Sequence, residues 1–151
     1  MKLQAFIQPF MLFHYSRAYE IWVPTIVRVV FGLIFLMSAY FKIPGSESFH
    51  MQVEMSGAVG IPFPLIAVIL AFVLEVVAGI ALVIGWQTRT AALALAAFVM
   101  LIAVFFYRNW SDQAVFGLFM SCITQAGGLL YLSVYGARHI AVAKDAPPIY
   151  G

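Results

Sequence analysis

The chain has 151 residues, of which 64% are hydrophobic and only 9% are charged. A soluble globular domain is ordinarily about 45–50% apolar and about 25% charged. A chain of this size has too little interior to bury so much apolar surface, so the composition predicts a protein whose solvent is lipid. This excludes a soluble enzyme and a disordered regulator. The formal net charge of +2, without a run of basic residues, also excludes a nucleic-acid-binding protein.

Four hydrophobic stretches are long enough to cross the hydrocarbon core of a bilayer, which takes about 20 residues. They are residues 21–41, 63–86, 91–107 and 114–135. Short turns join the second stretch to the third and the third to the fourth, so we expect each pair to pack as antiparallel neighbours. The predicted fold class is all-α: an integral membrane four-helix bundle over residues 21–136, followed by a tail over residues 137–151.

Residues 1–20 mix apolar side chains with charged ones, which is typical of an amphipathic segment lying along the cytoplasmic membrane interface. The distribution of Lys and Arg sets the orientation of the bundle. One side of the membrane collects Lys2, Arg17, Arg89, Arg138 and Lys144, and the other collects Lys42 and Arg108. This asymmetry predicts that both termini are cytoplasmic.

The long connection between the first two spans, residues 42–62, has room for structure of its own. Its middle, residues 49–55, alternates apolar and polar side chains, and by pattern alone this indicates a strand. A lone strand at a membrane surface would leave its edges unpaired, so we expect a short interfacial helix instead. His50 and Glu54 would then lie one turn apart on a solvated face. Two such side chains are too few for a metal site, and no metal site is predicted.

Only two ionisable residues, Arg28 and Glu75, lie inside the predicted spans. Each costs about 2.5–3.5 kcal/mol at the centre of a membrane helix, so we expect the two to be paired. Counted from the cytoplasmic ends of their helices, their depths differ by several ångströms, within the reach of an arginine side chain. Gln125 of the fourth span lies near mid-membrane and would join them in one polar network. Such a network either holds helices in register or serves a ligand, a quinone head group or a proton, and the residues alone leave both roles open.

The histidines and the single cysteine of the chain are poorly placed to ligate a redox cofactor. A haem between membrane helices is usually held by histidines, and His14, His50 and His139 all lie outside the predicted spans. Cys122 is the single cysteine, so one chain forms neither a disulfide nor a redox-active cysteine pair. We therefore expect no cofactor to be bound by this chain alone.

The chain contains a series of short motifs at characteristic places in and between the spans. In chain order the motifs are Arg28-x-x-x-Gly32, Lys42 at the end of the first span, Gly60-Ile-Pro62, Glu75-x-x-x-Gly79, and Gly85-Trp-Gln-Thr88-Arg89. Together they resemble the DoxX family of small bacterial four-helix membrane proteins. The resemblance covers residues 27–135, with one departure: Ala39 and Tyr40 stand where members often have a glycine before the lysine.

The resemblance implies a four-helix protein of the bacterial inner membrane. The family takes its name from a subunit of a quinone-linked thiosulfate-oxidising system, and other members associate with membrane redox or oxidative-stress complexes. Its buried basic–acidic pair corresponds to Arg28 and Glu75, and its turn motif to Thr88 and Arg89. Apart from the resemblance, Lys42 and Arg89 also fit interfacial cations at span ends. Membership does not by itself make the chain a catalyst.

Three functions are compatible with these observations. The first is an accessory or quinone-facing subunit of a membrane redox complex, with other redox subunits as partners and a quinone as the candidate ligand. The second is a non-catalytic assembly or interaction protein, which includes self-association within the bilayer. The third, a carrier of a small solute or of protons, is the least favoured, because four helices are few for a carrier and the second span has no mid-span break.

Overall fold

The computed structural model describes residues 17–137 and 140–142, with residues 17–20 described by their backbone alone. Every regular element within these residues is a helix: α1 (Arg17–Tyr40), α2 (Glu47–Ala58), α3 (Pro64–Ile84), α4 (Thr88–Phe106) and α5 (Gln113–Tyr135). Four of them, α1, α3, α4 and α5, are long and apolar enough to cross a membrane. The predicted all-α class and its four spans are therefore confirmed.

Two predicted segments fall partly or wholly outside this description. Of the interfacial segment predicted over residues 1–20, residues 1–16 lie outside the described residues. Most of the predicted tail, residues 138–139 and 143–151, lies outside them as well. Helix α1 begins at Arg17, four residues before the predicted start of the first span.

The helices pack in the order α1, α3, α4, α5. Helix α3 contacts both α1 and α4, α4 packs against α5, and α1 meets α5 only over a small area. The short connections after α3 and after α4 enforce the antiparallel neighbours that the sequence predicts. Fully buried leucines fill the interior, and they are Leu82, Leu95 and Leu129. We call the end of the bundle that carries α2 the α2 end, and the opposite end the Gly85 end.

Two glycines bring α1 and α3 into unusually close contact. A Cβ atom on Gly32 would lie 2.7 Å from Val83 Cγ2 and 2.8 Å from the carbonyl oxygen of Gly79. Small residues at such a crossing let the two backbones approach, as is common between membrane helices. This contact fixes the register of the antiparallel pair, so Ser38 lies level with Glu75 and Arg28 lies level with Gly85.

The long connection forms the helix α2, which confirms that this segment is a helix rather than a strand. Its start is capped by Ser46, whose hydroxyl accepts a hydrogen bond of 3.1 Å from the backbone N–H of Phe49. Phe49 and Ser56 are buried toward the bundle, whereas His50 and Glu54 are exposed, as predicted for a solvated face. Helix α2 packs on α3 and thereby covers one side of the α2 end.

Candidate functional site

The buried carboxylate of Glu75 forms its ion pair with Lys42. The ammonium nitrogen of Lys42 lies 3.0 Å from Oε1 and 2.9 Å from Oε2 of Glu75. Glu75 is 1% exposed, and the side chain of Lys42 is 12% exposed. The predicted Arg28–Glu75 pair is therefore wrong. The interpretation of Lys42 as an interfacial cation is also wrong, because its charge is turned into the bundle.

The register of α1 on α3 explains why the predicted pair does not form. Arg28 lies beside Gly85, which is ten residues along α3 from Glu75, a separation of about 15 Å in a helix. The prediction measures both depths from span ends and assumes that the spans start level. In the structure, α1 extends past the end of α3, because the contact between Gly32 and Gly79 sets the register.

Ser38 completes a closed cluster with Lys42 and Glu75. Its hydroxyl accepts a hydrogen bond of 2.7 Å from Lys42 and donates one of 3.1 Å to Oε1 of Glu75. Lys42 also approaches the backbone oxygen of Ser38 at 3.3 Å. An ammonium group has three protons to donate, and these contacts use all of them. We call these three residues the ion-pair cluster, which is electrically neutral and internally satisfied.

A groove of about 580 Å³ lies beside the ion-pair cluster, at the α2 end. Its size falls within the range of about 300–1,000 Å³ that is usual for small-molecule sites. It is lined by residues of α1, α2, α3 and α4 and of the segments that follow α1, α2 and α4, and most of them are apolar. Its polar lining consists of Ser38, Lys42, Gln52, Ser56 and Tyr107, and its aromatic lining of Phe98, Phe105, Phe106 and Tyr107.

The polar side chains of α2 in this groove are partly committed to local hydrogen bonds. Ser56 donates a hydrogen bond of 2.7 Å to the carbonyl oxygen of Gln52, and the amide of Gln52 donates one of 3.2 Å to the carbonyl oxygen of Phe41. Tyr107 follows the last residue of α4, so it lies outside the spanning helix. Burial raises the pKa of its phenol above the ordinary value, so the hydroxyl remains a neutral hydrogen-bond donor.

Arg28 belongs to a different location, at the Gly85 end. It is 4% exposed, and its Nη2 donates a hydrogen bond of 2.6 Å to the carbonyl oxygen of Ile140. The backbone N–H of Val142 donates one of 3.0 Å to the carbonyl oxygen of Ile84. The chain after α5 therefore returns across the end of α3, and Arg28 holds it there.

The turn residues of the family motif lie at this same end. Thr88 is the first residue of α4 and is fully buried, and its hydroxyl has no hydrogen-bond partner within the described residues. Arg89 is half-buried. The residues that the resemblance groups together thus divide between two ends: Lys42 and Glu75 beside the groove, and Arg28, Thr88 and Arg89 near Gly85.

Gln125 joins neither location. It is half-buried on α5, and within the described residues it makes no hydrogen bond with Arg28 or Glu75. Helices α1 and α5 touch only sparsely, near Phe31 and Gly128, which keeps α5 away from the ion-pair cluster. The predicted three-residue network is therefore wrong as a single site.

The contact at the Gly85 end makes a prediction about stability. A Cβ atom on Gly85 would collide with Nη1 of Arg28 and lie 2.7 Å from the Cβ atom of Ala141, and the residue has a φ of +76°. We expect Gly85→Ala to lower the free energy of unfolding by about 2 kcal/mol, from left-handed strain and steric overlap together. Thermal unfolding in detergent measures the loss, and hydrogen exchange over residues 140–142 should increase.

Gly60→Ala is the matched control, because Gly60 has a φ of +87° and a Cβ atom added there would meet nothing within 4 Å. It carries the left-handed strain alone, about 1 kcal/mol. Equal losses for the two variants, with unchanged exchange in residues 140–142, would contradict the packing of Arg28 and Ala141 on Gly85.

Sequence reasoning missed most of the groove. Ser38 was the groove residue that could most easily have been predicted, because Ser38 and Lys42 lie four residues apart and so share one face of a helix. The aromatic side chains Phe98, Phe105 and Phe106 carried no signal of their own, since lipid contact explains aromatic residues in a membrane span equally well. The groove arises only when α2 packs on α3.

Comparison with known proteins places these residues in a wider context. The DoxX family model matches residues 23–108, a stretch that contains the ion-pair cluster and the whole groove lining. Inner membrane protein YqjF of Escherichia coli (strain K12) is 31% identical over 111 residues, which cover 74% of this chain and 82% of that protein. Inner membrane protein YphA of the same organism is 30% identical over 124 residues, covering 79% and 86%. No solved structure gave a significant match.

Proposed function

The chain belongs to the DoxX family of inner-membrane proteins, and we propose that it acts as a quinone-facing accessory subunit of a membrane redox complex. The observation that carries this proposal is the groove beside the ion-pair cluster. In this role the chain binds and orients the quinone, and its partner subunits carry the electrons.

The lining of the groove suits a quinone. A quinone combines a flat ring, two carbonyl oxygens and an apolar tail. Phe98, Phe105 and Phe106 offer aromatic faces for the ring, and aromatic pairs favour offset or edge-to-face contacts. A few polar side chains in a mostly apolar cavity are what fixes the orientation of such a ligand.

The groove is also accessible from the lipid. Leu70 of α3 and Leu101 of α4 line it and are 63% and 58% exposed, respectively, on the outside of the bundle. A ligand dissolved in the bilayer therefore reaches the groove sideways between these helices, without passing through water. This route suits a quinone, whose tail keeps it in the membrane.

The orientation of the bundle is part of the proposal. Four crossings return the chain to the side on which it started, and we place the Gly85 end on the cytoplasmic side. Arg17 and Arg89 lie at that end, whereas the α2 end has Arg108 and the already neutralised Lys42. This difference follows the positive-inside rule, and it opens the groove in the outer half of the membrane.

Filling the groove tests the proposal. Ala71 of α3 lines the groove one turn from Glu75, and we expect Ala71→Phe to displace a bound quinone by occupying its space. The measurement is the amount of quinone extracted with the protein after purification in a mild detergent, quantified by chromatography and mass spectrometry. We expect at least a tenfold decrease relative to the unmodified chain, equivalent to about 1.4 kcal/mol in binding.

Ala97→Phe is the matched control, since Ala97 is exposed on the lipid face of α4 and does not line the groove. It should retain the full quinone content. Ala67→Phe, a second substitution in the lining, guards against a local packing defect specific to Ala71. Unmodified protein that carries no quinone and migrates without a redox partner in native gels would refute the proposal.

The ion-pair cluster favours a second candidate, a non-catalytic assembly protein. Its hydrogen bonds are satisfied internally, as expected of a group that only holds α1 on α3. Under this alternative, Ala71→Phe leaves assembly with partner subunits and the activity of that assembly unchanged. A groove-filled variant that assembles normally but is inactive would instead support the quinone-facing role.

A further inference from the structure

The charge around the groove restricts its ligand. Among the described residues that line the groove, Lys42 is the only charged one. Its charge is neutralised by Glu75, and its three protons are donated to Glu75 and Ser38. An anionic head group would find no available cation here and would lie near the Glu75 carboxylate. The groove is therefore built for an uncharged ligand.

Two side chains in the lining have donor protons left for such a ligand. The hydroxyl of Tyr107 makes no hydrogen bond within the described part of the chain. The amide nitrogen of Gln52 carries two protons, of which the bond to Phe41 uses one. By contrast, Ser56 spends its single proton on the carbonyl oxygen of Gln52 and retains only acceptor capacity. Tyr107 and Gln52 are thus the lining residues that still have a proton to donate in a hydrogen bond.

We infer that Tyr107 and Gln52 are the residues that recognise the ligand, by donating hydrogen bonds to a carbonyl oxygen of an uncharged lipid. This inference rests on the proposed function and assigns its specificity. The ion-pair cluster forms a neutral wall of the groove, and its protons stay within the protein. Recognition then depends on α2 and on the end of α4, rather than on Arg28 and Glu75, the two charged residues inside the predicted spans.

The test compares two probes that share a six-membered ring and a decyl tail, of which only one has ring carbonyl oxygens. Decylubiquinone carries carbonyl oxygens, whereas decylbenzene has a ring and tail without them. Binding of decylubiquinone to the full chain in detergent is followed by quenching of the tryptophan fluorescence. Binding of decylbenzene, which does not quench, is followed by isothermal titration calorimetry. We expect Tyr107→Phe and Gln52→Leu each to weaken decylubiquinone binding about 3- to 10-fold, the range of one hydrogen bond, and to leave decylbenzene binding unchanged.

Tyr131→Phe is the matched control, because Tyr131 is 59% exposed on α5 and lies outside the groove. It should bind both probes as the unmodified chain does. Unchanged decylubiquinone binding in both groove variants would overturn the inference while leaving the proposed function intact. Displacement of decylubiquinone by short-chain phosphatidylglycerol would also overturn it, because the ligand would then be anionic. An unmodified chain that binds no decylubiquinone would instead refute the proposed function and the inference together.

Discussion

Replacing Lys42 with Met, with Glu75 left in place, will lower the free energy of unfolding by about 3–5 kcal/mol. This is the usual cost of removing one partner of a buried ion pair, since the other charge is then buried without compensation. Glu75 is 1% exposed and lies at mid-helix, so without Lys42 its carboxylate keeps only the hydrogen bond from Ser38. Unfolding in mixed micelles with increasing SDS, followed by tryptophan fluorescence, measures the loss.

The two partners of this pair should respond unequally. Glu75→Leu leaves Lys42 without its partner, but Lys42 lies two residues beyond α1 on a flexible stem. Its ammonium group can turn outward to the membrane interface, so this variant should lose less stability than Lys42→Met. Replacing both residues, by Met and Leu, should restore most of the loss, because a well-packed apolar pair substitutes for a buried ion pair.

Arg108→Met is the control for loss of a positive charge, because Arg108 is exposed in the connection after α4. It should change stability by less than about 0.5 kcal/mol, as is usual for surface substitutions. If Lys42→Met and Arg108→Met behaved alike, the buried pair between Lys42 and Glu75 would be contradicted. A stability loss in Arg28→Met that depended on Glu75 would favour the pair that the sequence suggested.

Gly32→Val will separate α1 from α3 and lower the free energy of unfolding by about 3 kcal/mol, the upper end of the usual cost of overpacking. The first added carbon would already lie 2.8 Å from the carbonyl oxygen of Gly79, and this backbone atom has no rotamer through which to escape. Because the same contact sets the register of Ser38 on Glu75, the variant should also weaken the ion-pair cluster. The SDS titration used for Lys42 measures this effect.

Gly117→Val provides a matched control in another spanning helix. Nothing lies within 4 Å of a Cβ atom at Gly117. The control therefore measures the effect of the helix propensity of valine without any steric overlap. The difference between the two variants then reports the contact between α1 and α3. Gly79→Ala should fall between them, since its new methyl would meet mainly Leu36, whose side chain can rotate. Equal losses at Gly32 and Gly117 would refute this helix crossing.

The four spans were predictable because hydrophobic length is a strong signal in lipid. In lipid, about 20 apolar residues in succession form a helix, since every backbone N–H and C=O group needs a hydrogen-bond partner within the protein. The helix boundaries were predicted less accurately. Helix α1 begins at Arg17 rather than at residue 21, and α4 ends at Phe106 rather than at residue 107. Charged and amphipathic residues near a membrane interface extend a helix without adding to its hydropathy.

The partner of Glu75 was not predictable from the positions of charges along the chain. Two charged residues of opposite sign within predicted spans are expected to form an ion pair. Their actual distance, however, depends on the register of one helix along its neighbour. That register is fixed by the local contact at Gly32 and Gly79, which hydropathy does not report. Lys42 was counted outside the span because it follows the helix end, although its stem is long enough to bring its ammonium group back inside.

The groove depends on contacts that no single stretch of sequence contains. The alternating residues 49–55 indicate a strand by pattern alone, whereas the segment is a helix that is capped by Ser46 and buries Phe49 and Ser56. Only after α2 packs on α3 do Gln52 and Tyr107 line one cavity, though they lie on separate elements. The sequence therefore indicates that a polar site exists in the bundle, whereas the packing of α2 decides where it is.

The most direct test of the quinone assignment is to map where a photoreactive quinone attaches in native membranes. An azido-quinone, cross-linked by light and located by mass spectrometry, should label groove residues of α3 and α4 such as Leu70, Leu101 and Phe105. Unlabelled quinone should compete for this labelling, and Ala71→Phe should abolish it. Labelling confined to residues outside the groove, or labelling that excess quinone does not reduce, would contradict the assignment of this groove as the quinone site.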